Sequence, residues 1–114
     1  MSKELKEANA KVVVSESVPG LLAKDRYPSA KAIAKIEALL PSGSILSVTL
    51  EMEGKTLLYA FDVSVAGKTG IEDIDISATT GKLLQREHLS PEQYAREKLA
   101  DEKRAKAQRA KTAR

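Results

Sequence analysis

The sequence predicts an α+β domain: one helix packed on one face of a three- to four-stranded antiparallel sheet, followed by a charged C-terminal helix. Three observations carry this. Residues 44–87 alternate apolar and polar side chains in successive runs joined by short glycine-containing turns, the period of strands with one buried and one wet face. Connections that short make neighbours antiparallel, because a parallel pair needs a crossover of roughly a dozen residues. On either side, Ala30 to Leu40 and the segment opening Ser90-Pro91-Glu92-Gln93 read as helices.

Residues 1–17 form a first segment, helical or extended. Leu5, Ala8 and Val12 fit a helical stripe from about Lys3 to near Ser15, whereas the β-branched Val12-Val13-Val14 favours a strand. Val18-Pro19-Gly20 ends it, and residues 18–89 form the main unit. Leu21-Leu22-Ala23 is expected to make a short helical turn laying two leucines on the core, with Asp25-Arg26-Tyr27-Pro28 as a linker. Ser29 is the expected N-cap of a helix running from Ala30 to Leu40. Ala32, Ile33, Ile36, Leu39 and Leu40 share its apolar stripe, and the small pair Ala30 and Ala34 would let it lie close on the strands. Pro41 stops it.

The first strand carries Leu46, Val48 and Leu50 inward. The second puts Leu57, Tyr59, Phe61, Val63 and Val65 on one face, and Ile74 and Ile76 complete the set from the third. Leu83 to Arg86 is a short fourth strand after the turn Ala78 to Lys82. Residues 90–114 form the charged helix: Ser90 and Gln93 make a capping box around Pro91, and fraying is expected beyond about residue 103.

No cysteine is present, which excludes a disulfide frame and thiolate metal sites. No apolar run is long enough to span a bilayer. The net charge of +3 conceals a division. After Glu102 stand Lys103, Arg104, Lys106, Arg109, Lys111 and Arg114 with no acidic residue; without these six, thirteen basic residues face sixteen acidic ones, a body near −3. A basic globular surface for nucleic acid is therefore not indicated, and the tail reads as a solubilising end or a weak contact for an anionic surface.

Leu21-Leu22 before a helix with Ala30 and Ala34, Pro41-Ser42-Gly43 leading to the strand ending Leu50-Glu51, Tyr59-Ala60-Phe61-Asp62-Val63, and Ile74 through Thr79-Thr80-Gly81-Lys82 together resemble a PepSY domain over about residues 18–100. The family usually has Asp-Ala before the Thr-Gly turn, where Ser77-Ala78 stands here; serine still bonds turn backbone, so the turn is expected to survive. The resemblance implies a helix on an antiparallel sheet. It further implies a periplasmic or secreted bacterial protein whose signal peptide has been removed, and restraint of a metallopeptidase. It carries over no catalytic residue.

Candidate sites divide poorly. His88 is the only histidine and reads as an exposed linker residue with no second ligand. Asp73 and Asp75 share a strand face while Glu72 takes the other, without the glycine-punctuated spacing of a calcium loop. Gly67-Lys68-Thr69-Gly70 lacks the first glycine of a phosphate loop and precedes a strand, so it reads as a hairpin. No catalytic, cofactor or metal residue is assigned. The outward side of the second strand, Leu58 and Ala60 beside Asp62, with Lys68 in the next turn, is the candidate partner-binding surface. The expectation is a non-enzymatic protein-binding module that docks by its sheet or hairpin edge on a peptidase. The alternatives are self-association through Leu58 and Ala60, or an inert domain with an anion-binding tail. A deep cleft in which carboxylates or His88 converge would overturn the non-catalytic reading.

Overall fold

The computed structural model describes residues 12–112, with side chains as far as Lys103. Five strands form one mixed sheet in the order β1-β2-β3-β4-β5: β1 Val14–Glu16, β2 Gly43–Glu53, β3 Thr56–Val65, β4 Ile71–Ser77 and β5 Leu83–Leu89. β2 to β5 are the expected antiparallel meander. The sheet exceeds the three to four strands expected because β1 joins its edge, parallel to β2 with Val14 opposite Val48. The β-branched valines favour the extended form, and residues 17–42 supply the long crossover that a parallel neighbour requires. The rest of the N-terminal helix reading lies outside the described residues.

That crossover holds a single 3₁₀ turn, Leu21–Lys24, and helix α1, Ser29–Leu39. Leu21 is buried, while Leu22 is exposed rather than laid on the core. Pro28, not Ser29, precedes the first helical residue, and no side chain caps the start. The Pro28 carbonyl accepts from the amides of Lys31 and Ala32 instead. Ala32, Ile36 and Leu40 are buried, Ile33 is partly so and Leu39 is exposed. Ala30 and Ala34 face solvent, so the close approach to the sheet is made by Ala32.

The core closes between α1 and one face of the sheet, with Val48, Leu50, Leu57, Tyr59, Phe61, Val63, Ile74 and Ile76 buried. Each such side chain contributes roughly 1.5–3 kcal/mol on burial. Leu46, expected among them, is 51 % exposed. Ile45 pairs with Val63 but Ser47 with Asp62, so Leu46 is the extra residue of a β-bulge and leaves the alternation. The hydroxyl of buried Tyr59 lies 2.7 Å from both Asp25 Oδ2 and the Tyr27 carbonyl, and its one proton serves either acceptor. The amides of Arg26 and Tyr27 both donate to the Ala78 carbonyl, tying the segment before α1 to the β4–β5 turn. Ser77 Oγ accepts from the amides of Thr79 (3.1 Å) and Thr80 (3.0 Å), so the turn holds with serine in place of aspartate. Gly81 in it has φ +78°, and a Cβ there would overlap the Tyr27 ring.

Helix α2, Pro91–Thr112, continues past the fraying point expected near residue 103. Its start is the predicted capping box: the Ser90 amide donates to Gln93 Oε1 (2.9 Å) and the Gln93 amide to Ser90 Oγ (3.2 Å).

Candidate functional site

Side chains alternate along a strand, so the residues between the core positions form the opposite face of the sheet. Register sets them in rows. Ser47, Asp62, Asp73 and Glu87 stand directly opposite one another across β2, β3, β4 and β5, and Thr49, Ala60, Asp75 and Gln85 form the next row. Three carboxylates in one row, on neighbouring strands only about 4.8 Å apart, repel one another.

Helix α2 roofs this face. Ile71 and Leu89, opposite one another, are buried where the chain leaves β5 for the helix. Tyr94, Glu97, Lys98 and Asp101 then line a groove of about 810 Å³ whose floor is the two rows, with Glu51 and Glu53 at one end. Leu46, displaced by its bulge, lines the other end beside Tyr94 and Glu102. Lys98 is the only cationic side chain among the described groove residues, and its ammonium sits 5.6 Å from the Tyr94 ring centre.

The electrostatics follow from this crowding. Burial first, then Asp62, Asp75, Glu97 and Glu87, pushes the Asp73 carboxyl up to about 7. Burial with Glu53 and Asp62 raises Asp75 to about 6. Glu51 is raised by burial and then by Asp75. Asp62 is raised by burial against the opposing hydrogen bond from Ser47 Oγ at 3.3 Å. Of these, Asp73 holds its proton to about neutrality, because its charged form is poorly solvated and its neighbours are already negative.

The opposite face presents a different arrangement. Glu72, 7 % exposed, accepts from Arg86 Nε at 3.1 Å and lies 2.6 Å from His88 Nδ1. Burial alone would raise its pKa, but the bonds from His88 and Arg86 outweigh it and hold the carboxyl below its usual value. His88 is thus a residue of β5 hydrogen-bonded to Glu72, not part of a linker, and it points away from the groove. The expected split of Glu72 from Asp73 and Asp75 is present.

Of the residues singled out from sequence, Ala60 and Asp62 line the groove floor. Leu58 does not serve as an exposed contact: it is 3 % exposed, on the central strand between Glu51 and Ser77. Lys68 is exposed in the β3–β4 turn, away from the groove. Carboxylates do converge in a groove, which bears against the non-catalytic expectation, and His88 does not join them. Sequence reasoning missed the row Asp62–Asp73–Glu87 and the roof over it. The signal available was an acidic residue at the outward positions of three consecutive strands. Among the described residues no group of three or more His, Cys, Asp or Glu side chains is arranged to hold a metal ion, and no helix is long and apolar enough to cross a membrane.

No family model matches the chain, and searches of curated proteins and of solved structures find no match either.

Proposed function

We propose that this chain is a protein-binding module of PepSY type that takes a lysine- or arginine-rich polypeptide segment into the groove between the sheet and α2. The observation that carries the reading is the carboxylate row Asp62–Asp73–Glu87 under a helix from which, among the described groove residues, only Lys98 stands to balance it. A cationic segment would neutralise the row, lower the raised carboxyl pKa values and gain charge-assisted hydrogen bonds. The groove is preferred to the sheet edge, because the outer edge of β5 carries a bulge at Leu84 followed by Arg86, Glu87 and His88, devices that discourage strand addition. Restraint of a peptidase, in the periplasm or outside the cell, extends the proposal and rests on the family resemblance alone.

The test is titration of the full chain with a labelled Lys/Arg-rich peptide and with a Glu-rich control, read by fluorescence anisotropy. Saturable binding of the basic peptide alone, weakened several-fold in D73N/E87Q and by ~0.5 M salt, is expected. Equal binding of both peptides, or none, overturns the reading. A metallopeptidase panel, with rates followed at rising protein concentration, tests the extension.

A second reading, acid–base catalysis, is favoured by one observation: a carboxyl held up to about 7 in a groove is poised to exchange a proton at neutral pH. The two readings part on D73N. A catalyst loses turnover on a hydrolytic substrate panel, whereas a binding module has none to lose.

A further inference from the structure

The groove has a complementary partner in the same sequence. The six basic residues after Glu102 are the largest unbroken excess of positive charge in the sequence, and residues 1–102 before them are near −3. Five of the six lie on the helical backbone of α2, which runs without a break to Thr112; Arg114 lies outside the described residues.

Helix geometry keeps that end out of its own groove. α2 starts beside β5, and Tyr94, Lys98, Asp101 and Glu102 along it share a cavity with Leu46, Ser47 and Thr49 of β2. Crossing three strand spacings takes about 14 Å, and ten helical residues supply about 15 Å. The next ten residues carry the basic segment about another 15 Å along the same axis, beyond β2. For it to return to the floor of its own groove, the helix would have to break.

We infer that the occupant of the groove is the basic helical end of α2 from a second copy of this chain, which rests on the groove reading above. Each copy offers one acidic sheet face and one basic helix end, so a reciprocal exchange about a two-fold axis satisfies both at once and closes the assembly. The apolar side chains at the groove ends, Met52 and Leu46, are exposed in the single chain and available to the aliphatic stems of the incoming lysines and arginines. The contact is charge-led, so it strengthens as salt is removed. This route to self-association replaces the one through Leu58, which is closed by burial.

Sedimentation equilibrium of the full chain at several concentrations tests it. In ~20 mM salt the average mass should rise from 12.3 kDa toward twice that value, and in ~0.5 M salt it should return to the single-chain mass. Two full-length variants separate the halves of the contact: one with all six basic residues after Glu102 changed to glutamine, the other D62N/D73N/E87Q. Each should stay at the single-chain mass alone, and an equimolar mixture should associate, because one supplies an intact groove and the other an intact basic end. Circular dichroism confirms that both fold. A wild-type chain at single-chain mass under every condition overturns the inference, as does a glutamine variant that associates like the wild type. If the Lys/Arg-rich peptide binds the glutamine variant while the wild type stays single, the groove reading stands and only this inference falls. If the peptide binds neither chain, both fall.

Discussion

Tyr59, Phe61, Val63, Ile74 and Ile76 face α1 and are fully buried, while one residue along the same strands Ala60, Asp62, Asp73 and Asp75 face α2 across a groove. Both faces have a helix over them, but the helices differ in kind. α1 brings Ala32, Ile36 and Leu40 to an apolar surface and excludes water. α2 brings Glu97 and Asp101 to a surface already crowded with carboxylates, with Lys98 as counter-charge. The first face holds the domain together through burial; the second spends some of that stability on like-charge proximity. A sheet whose alternate residues are apolar and acidic can therefore combine a sufficient core with a surface that is more stable when a cation is added.

The sharpest way to break this comparison is to cut into the α1 face. Phe61→Ala should cost about 3–5 kcal/mol, because a fully buried ring is removed and the cavity collapses only partly. Denaturant unfolding checks it, and a loss under about 1 kcal/mol would mean that the core lies elsewhere.

On the α2 face the prediction has the opposite sign. Asp73 and Asp75 release protons near pH 4 in an unfolded chain, but at about 7 and about 6 in the folded one. Between those limits the folded state holds more protons, so stability falls as pH rises from about 4 to 7. Asp73→Asn should then stabilise the chain by about 1 kcal/mol at pH 8, after allowing for solvent screening, and flatten the profile below pH 7. A thermal melt series over pH measures both.

A smaller effect isolates the roof. Ser90→Ala removes one half of the capping box, and should cost about 0.5–1 kcal/mol. Hydrogen exchange should speed up at the first turn of α2 more than in β3. Equal acceleration in both would show that roof and core are one cooperative unit.

The α1 face was legible in the sequence because burial repeats with the period of the strand. Val48, Leu50, Tyr59, Phe61, Val63, Ile74 and Ile76 stand where alternation put them, and the turn at Ser77 and the capping box at Ser90 follow from local hydrogen bonding. Alternation failed at Leu46, where a bulge inserts one residue, and bulges leave no mark in a periodic pattern. β1 was not legible as part of the sheet, since parallel pairing depends on where a 26-residue crossover returns the chain. The groove was legible only in part. Asp62, Asp73 and Glu87 could be placed outward, but their alignment needs the register of three strands, and their roof depends on the direction in which α2 leaves Leu89. His88 was misplaced in a linker because its partner Glu72 lies sixteen residues away, on the neighbouring strand.

The account turns on the Asp62–Asp73–Glu87 row being a self-repelling surface that a cation relieves. The most direct measurement is the carboxyl carbon chemical shift of Asp73 followed by NMR across pH in the chain whose six basic residues after Glu102 are changed to glutamine, so that no second copy fills the groove, first alone and then with saturating Lys/Arg-rich peptide. The account predicts a midpoint at about 7 for the chain alone and a clearly lower one with peptide. A midpoint near 4 in the free chain, or one that the peptide leaves unmoved, would contradict it.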